Sequence, residues 1–208
     1  MTDPLDAVEP GIALHAGAAA YNAGEFRAAQ AILTAPETTL LDGLGAFVGT
    51  VANARTGNWS EAMESADRAT RQLAAADPTT RGVETAPLQR WLGAFHADPE
   101  RIERARAPSI SVGGAFPGPS TLSVAAAGVA AAVVAESTSY DVDIVADAIR
   151  FAEQAAQPDE SPYATFLRDF VGDPAQRPIV FQRLSGMVER ERRKERDVDG
   201  LFEETDEE

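Results

Sequence analysis

The chain has no cysteine, and lysine occurs only once, at Lys194. The absence of cysteine excludes disulfides, thiolate-bound zinc and cysteine nucleophiles. Acidic residues outnumber basic ones 33 to 18, which gives a formal net charge of −15, and nearly all the basic residues are arginine. A charge of this sign repels nucleic-acid phosphates and anionic lipid, so we expect neither as a partner.

Long apolar runs and a basic leader are also lacking. The longest strongly apolar run covers residues 124–135, whereas a membrane-spanning helix needs about 20 residues. Residues 1–20 contain no lysine or arginine, so the basic start of a secretory signal peptide is missing. We therefore predict a cytoplasmic protein without a membrane segment.

The composition that remains is rich in alanine and in small acidic residues. Together with the scarcity of lysine, it is typical of proteins from salt-adapted archaea, where molar salt screens self-repulsion over a Debye length of about 3 Å. An ordinary acidic protein from a GC-rich genome is the alternative. With 44% hydrophobic residues the chain has enough apolar surface to form a core without disulfides or metals.

Helical periodicity and turn signals predict an all-α fold in two groups of helices. The expected N-terminal bundle comprises residues 1–104, with helices over 11–23, 25–35, 37–56, 60–76 and 86–97 and a short one ending at Arg104. A Gly/Pro-rich linker over 105–122 contains at most a short strand or hairpin near 109–116. A C-terminal lobe over 123–196 should hold helices at 121–135, 141–157, 162–171 and about 176–196, followed by an acidic, mobile tail at 197–208.

An internal repeat supports the helical pairs in the first group. The segments starting at Gly24 and Gly57 both follow the pattern Gly-x-aromatic-x-x-Ala, at an offset of 33 residues, with Phe26 and Trp59 as the aromatics. This spacing is similar to that of tetratricopeptide repeats, but a free-standing solenoid needs about three or more copies. We therefore predict antiparallel helical hairpins packed as a small bundle.

Three segments of the first half carry a family resemblance: 21–26, 41–44 and 53–59, with the sequences Tyr-Asn-Ala-Gly-Glu-Phe, Leu-Asp-Gly-Leu and Asn-Ala-Arg-Thr-Gly-Asn-Trp. They resemble the DUF309 family of small helical proteins, over about residues 11–104. The remainder, including 179–184 and 197–202, resembles the C-terminal extension of haloarchaeal members of that family.

The resemblance implies a polar cluster that this chain has lost. The family presents a histidine–acid pair on its second helix, with a tryptophan and a further acid downstream, facing a glutamine and a histidine on the third. In this sequence those positions hold, in the same order, Gln30 and Ala31, Leu33 and Thr34, and Ala46 and Asn53. Neither proton transfer nor metal binding is available to such groups near pH 7. The resemblance thus implies a scaffold with a neutral pocket.

Other candidate sites are weak. His15 and His96 stand on separate predicted helices without an acid at ligand spacing. Residues 113–118 have the Gly-x4-Gly spacing of a phosphate loop, but Pro119 replaces the lysine. The charged run 189–196 alternates glutamate with basic residues, which indicates a solvated helix more than a nucleic-acid patch.

These observations favour a non-enzymatic helical scaffold or interaction protein, with a protein partner or self-association. The alternative is a module or relict enzyme that binds a small neutral ligand between the second and third helices. Its pocket candidates are Gln30, Asn53, Phe26 and Trp59, and we expect no catalytic residue, metal or cofactor. An enzyme acting through acidic residues such as Glu25 and Asp42 is a third possibility.

Overall fold

A computed structural model describes residues 5, 8–35, 38–77 and 80–203 of the chain. The prediction of an all-α protein is confirmed, since helices dominate the described residues and pack as a bundle. The helices are α1 (Pro10–Ala23), α2 (Phe26–Thr34), α3 (Thr39–Arg55), α4 (Trp59–Ala75), α5 (Thr85–Ala97), α6 (Arg101–Arg104), α7 (Val124–Thr138), α8 (Val142–Gln154), α9 (Pro162–Gly172) and α10 (Arg177–Glu203).

Most helix ends follow from local chemistry that the sequence carries. Gly24 adopts a φ of 93° and ends α1 in the left-handed conformation that glycine tolerates best. The hydroxyl of Ser123 accepts a hydrogen bond from the Ala126 N–H at the start of α7, and Asp141 accepts two in the same way at the start of α8. Predicted and observed boundaries of the helices before α10 therefore agree within about three residues.

The last helix is longer than predicted. Helix α10 continues to Glu203, into the stretch 197–208 that the sequence analysis assigns to a mobile tail. Charged side chains of its outer half bind α8: Arg150 pairs with Glu195 at 2.6 Å, and Arg192 pairs with Asp147. These contacts hold residues 192–195 against the bundle, and residues 204–208 lie outside the described part of the chain.

The first four helices pack in sequence order, α1 on α2, α2 on α3 and α3 on α4. The short connections between them make neighbouring helices antiparallel. Helix α7 then lies against α1 and α2 as well as against α8 and α9. Its buried small residues allow this close approach, and one continuous hydrophobic cluster runs from Ala13 in α1 to Val188 in α10.

The segment 105–122 is irregular but attached to the helices. Ile110, Val112 and Leu122 are buried in the core. Val112 forms an isolated antiparallel bridge with Ala115 and another with Val83, so the short hairpin expected near 109–116 is present as single bridges, without a continuous strand. The two residues between Val112 and Ala115 are glycines with φ values of 61° and 77°, which a tight two-residue hairpin turn requires.

Candidate functional site

A cavity of about 490 Å³ lies where α1 ends and α2 begins. The end of α3 forms a second wall, and the segment that follows α6 forms a third. Its described lining includes three arginines and two aromatic rings, and it contains no carboxylate among the side chains that the structure describes; the lining residues are Tyr21, Asn22, Ala23, Gly24, Phe26, Val51, Arg55, Ile102, Arg104, Ala105, Arg106, Ala107 and Ser109. We call this the arginine cavity.

Arg55 and two aromatic side chains form one side of the arginine cavity. The Arg55 guanidinium lies 5.3 Å from the centre of the Phe26 ring, within the range of a cation–π interaction. Phe26 in turn meets Tyr21 edge to face, with ring centres 5.6 Å apart. The cavity therefore places an apolar surface directly beside a positive charge.

Arg104, the last residue of α6, and Arg106, in the segment that follows, also line the cavity. Arg104 forms an ion pair with Asp98. Among the side chains that the structure describes, neither Arg55 nor Arg106 pairs with a carboxylate, and both are exposed. In a chain with a net charge of −15, two cations without a carboxylate partner beside one cavity create a local positive potential.

The positive charge of the cavity affects the pKa of Tyr21, but it does not make this residue an acid or base near pH 7. Burial raises its pKa well above the ordinary value, while the nearby charges of Arg106 and Arg55 lower it to a smaller extent. Its hydroxyl donates a hydrogen bond to the carbonyl oxygen of Pro108 at 3.0 Å. The Tyr21 hydroxyl therefore stays protonated near pH 7 and helps to hold the wall of the cavity.

Asn22 fixes the same wall more firmly. Its side-chain amide donates to the carbonyl oxygens of Ile110 at 3.0 Å and Pro117 at 2.9 Å, and its carbonyl accepts from the Ile110 N–H at 3.0 Å. One side chain thus satisfies three backbone groups that lie 88 and 95 positions away in the sequence. The irregular segment is held in a defined position by these bonds.

The carboxylate of Glu25 is bound outside the arginine cavity. Glu25 lies between the lining residues Gly24 and Phe26, but it does not line the cavity. Its carboxylate instead accepts a hydrogen bond from Arg177 of α10 at 2.6 Å, and it does not cap α2, the helix that follows it. Glu25 therefore does not neutralise the arginines of the cavity, although it adjoins two of the lining residues in the sequence.

A second surface combines an exposed aromatic ring with an apolar groove. Phe116 follows the hairpin turn and is 67% exposed, the highest value among the large hydrophobic residues that the structure describes. Beside it lies a groove of about 530 Å³ between the starts of α1 and α7. Apolar side chains dominate its lining, with Glu9 and His15 among the polar residues; the apolar members are Ile12, Val112, Ala115, Phe116, Pro117, Leu122 and Ala126. We call this the Phe116 groove.

The four residues predicted to line a neutral pocket lie in different surroundings. Phe26 lines the arginine cavity, whereas Gln30, Asn53 and Trp59 do not line that cavity or the Phe116 groove. A Cβ atom placed on Gly49 would lie 2.7 Å from the Gln30 amide nitrogen, so this amide fills the gap between α2 and α3. The cavity that Phe26 lines carries arginines, and the neutral pocket at these four residues stays a prediction.

The structure also places the remaining candidate residues. Glu25 is bound by Arg177, and Asp42 forms an ion pair with Arg68 at 3.2 Å. Of the two glycines that define the Gly-x4-Gly spacing, Gly113 belongs to the hairpin turn described above, whereas Gly118 precedes a short 3-10 turn at Pro119–Thr121. Within the described residues, no group of three or more histidine or acidic side chains is arranged to hold a metal ion.

Two residues that sequence spacing could not connect are His96 and Asp67. The His96 ring lies 2.9 Å from Asp67 of α4 through Nε2 and 2.8 Å from the Leu92 carbonyl oxygen through Nδ1. They are 29 positions apart in the sequence, and only the packing of α4 on α5 brings them together. The three arginines were missed for a similar reason, since they come from two separate segments of the chain.

Comparisons with known proteins leave the chain without an assigned relative. No family model, no curated protein and no solved structure matches it. The resemblance to the DUF309 family therefore stays a prediction. Across the described residues, none of the helices combines the length and the apolar character that crossing a bilayer requires.

Proposed function

We propose that this chain is a non-enzymatic helical interaction protein that docks a protein partner on the Phe116 groove. The observation that carries the proposal is Phe116 itself, a large apolar ring that is 67% exposed on an anchored segment. A large exposed apolar side chain beside an apolar groove is typical of a protein interaction surface. The two pairs of N-terminal helices serve as the scaffold that presents this surface.

The rigidity of the segment supports this role. Asn22 binds the carbonyl oxygen of Pro117, the residue that follows Phe116. On the other side, Val112 is buried and bridged to Ala115. A segment whose backbone is anchored on both sides of Phe116 loses little backbone entropy when a partner covers it, and this favours binding.

The chemistry of the surface also indicates what kind of partner fits. Apolar side chains dominate the lining of the groove, so we expect the partner to present apolar residues. The chain carries a net charge of −15, and a partner surface of like charge would be repelled. We therefore expect a protein with an apolar anchor on a neutral or basic surface, and we disfavour a second copy of this acidic chain.

The proposal can be tested with matched surface variants. Phe116→Ser removes the exposed ring, and Ile179→Ser removes a second exposed apolar side chain, 50% exposed, from α10 outside the groove. The wild-type protein and both variants are used as baits in a native lysate of the source cells. We expect a polypeptide that wild type and Ile179→Ser retain and Phe116→Ser loses, and about tenfold or weaker binding of that purified polypeptide to Phe116→Ser.

Two results would overturn the proposal. In the first, the Phe116→Ser bait retains the same polypeptides with the same affinity as wild type. In the second, sedimentation analysis finds that wild type is a dimer and that Phe116→Ser is a monomer, because the groove would then be a contact between copies. Unfolding in urea serves as the folding control, since an exposed substitution is expected to change stability by less than about 0.5 kcal/mol.

A ligand-binding role is the second candidate, and the arginine cavity is the observation that favours it. The sequence favours a small neutral ligand, but the lining of the cavity favours a charged one. Membership of the DUF309 family, adaptation to high salt and a cytoplasmic location remain part of the proposal. They rest on residue patterns and composition.

A further inference from the structure

We propose that the arginine cavity is a binding site for a small organic anion, one in which a carboxylate or phosphate group adjoins an apolar, preferably aromatic, part. This site is separate from the Phe116 groove, so the inference does not depend on the proposed docking function. It rests on the lining of the cavity, on the pairing of its charges and on the fixed position of its walls.

The charged groups of the cavity favour an oxyanion. Arg55 and Arg106 lie on different walls, and among the described side chains neither has a carboxylate partner. Arg104 adds a third guanidinium, although Asp98 already binds one of its nitrogens. Guanidinium groups match the geometry of carboxylate and phosphate with paired hydrogen bonds, and converging arginines are the usual way in which proteins recognise these anions.

The described carboxylates near the cavity are engaged elsewhere, and this strengthens the argument. Among the side chains that the structure describes, none of those lining the cavity is a carboxylate. Glu25 immediately precedes the lining residue Phe26, and Arg177 holds it in an ion pair, with both side chains largely buried. The Arg177–Glu25 pair therefore keeps an internal carboxylate from neutralising the arginines.

The apolar part of the ligand is indicated by the rings beside Arg55. Phe26 and Tyr21 meet edge to face, and the Arg55 guanidinium lies over the Phe26 ring. An aromatic group placed there would contact the Phe26 ring while its anionic substituent faces the arginines. The volume of about 490 Å³ is within the range of small-ligand sites in proteins.

The walls that carry these groups are already in place. Tyr21 and Asn22 bind the backbone of residues 108, 110 and 117, and these bonds position the segment that carries Arg104 and Arg106. A site whose walls need no rearrangement binds with a smaller entropic cost. These features distinguish the cavity from arginines scattered over an exposed surface.

The test uses isothermal titration calorimetry of the full chain in a buffer without other oxyanions. The probes are phenyl phosphate, benzoate, inorganic phosphate and the uncharged benzyl alcohol. The variants are Arg55→Met and Arg106→Met, with Arg193→Met as the control because it removes an equal charge from an exposed position of α10. We expect saturable binding of phenyl phosphate or benzoate to wild type and to Arg193→Met, about tenfold weaker binding to each cavity variant, and no binding of benzyl alcohol.

Each remaining outcome counts against a stated part of the inference. The site is rejected if neither aromatic anion binds wild type saturably at millimolar concentrations, or if Arg193→Met weakens binding as much as Arg55→Met and Arg106→Met do. Equal affinity for inorganic phosphate and phenyl phosphate would show that an aromatic group does not contribute to binding, and this would overturn the proposed aromatic part of the ligand. Unchanged thermal unfolding of the cavity variants, whose substituted side chains are exposed, shows that any loss of binding is not a loss of folding.

Discussion

Arg177 and Glu25 are 152 positions apart in the sequence, and their side chains form an ion pair of 2.6 Å. Arg177 is 7% exposed and Glu25 is 16% exposed. Arg177 also donates to the carbonyl oxygen of Phe170 at 2.8 Å. This arginine therefore joins the start of α10 to the end of α9 and to the residue that precedes α2.

The first prediction concerns the energy of this ion pair. Arg177→Met leaves the largely buried Glu25 without this partner, and we expect it to lower the free energy of unfolding by about 3 kcal/mol. Glu25→Gln should be milder, because Arg177 keeps the Phe170 carbonyl oxygen as an acceptor. In a double-mutant cycle measured by urea unfolding, we expect a coupling energy above about 1 kcal/mol. A coupling energy near zero would show that the two side chains do not stabilise each other.

A second prediction concerns close packing of α1 against α2. Gly17 has no room for a methyl group, since a Cβ atom there would lie 2.5 Å from Leu33 Cγ. Gly17→Ala should therefore destabilise the protein by about 1–3 kcal/mol. The matched control is Gly93→Ala in α5, where no atom lies within 4 Å, and it should stabilise by about 0.4–1 kcal/mol because alanine restricts the unfolded chain. Equal effects of the two changes in urea unfolding would refute the packing at Gly17.

A third prediction is a pH effect at His96. Burial lowers the pKa of His96, but the hydrogen bond with the Leu92 carbonyl oxygen and the contact with Asp67 together raise it above the ordinary value. Both ring nitrogens face acceptors, so the protonated ring is the form that satisfies both contacts. The stabilising effect should be complete below the pKa of the unfolded state, about 6.5, and disappear as the pH rises through the folded pKa.

This effect can be measured by NMR titration of the His96 ring. We expect a folded pKa above 6.5 in wild type and a lower one in Asp67→Asn, which keeps the shape of the side chain but removes its charge. His15→Gln assigns the two histidine signals. Because both side chains are partly exposed, the change in stability should stay below about 1 kcal/mol. A His96 pKa that does not respond to Asp67→Asn would contradict the structure.

The fourth prediction concerns Asn22, whose side chain makes three hydrogen bonds to the segment 110–117. Asn22→Ala should lower the free energy of unfolding by about 2–4 kcal/mol, because it leaves partly buried backbone groups without partners. It should also speed hydrogen exchange of the Ile110 amide. Asn22→Asp retains an acceptor for that amide but loses the two donated bonds, so its Ile110 amide should exchange more slowly than in Asn22→Ala. Wild-type exchange in Asn22→Ala would show that the anchor is not needed.

Local chemistry made most of the fold predictable. Helical spacing of apolar residues, together with Gly24, Gly57 and the residues before prolines, located the helices and most of their ends. The end of α10 was not predictable in this way, because its outer half is charged on all sides. Its ion pairs with α8, such as Arg192 with Asp147, exist only after the two helices pack.

The candidate site was much less predictable than the fold. Phe26 was selected from the repeat, and it does line a cavity. Its charged neighbours Arg104 and Arg106 belong to a stretch that has no periodic pattern and no motif spacing. Nothing in the order of the residues indicates that Asn22 brings this stretch back to the end of α1. The exposure of Phe116 could not be predicted from the sequence either, since an aromatic residue between glycines and prolines can be buried or exposed.

The sequence by itself determined the class of the fold, the positions of its helices and the acidic balance that disfavours nucleic acid. These properties depend on interactions between residues that are close along the chain, or on composition alone. The tertiary structure alone decided which charges meet: Arg177 with Glu25, His96 with Asp67, and three arginines around one cavity. Such contacts depend on how helices pack at long range, and a single sequence carries no local signal for them.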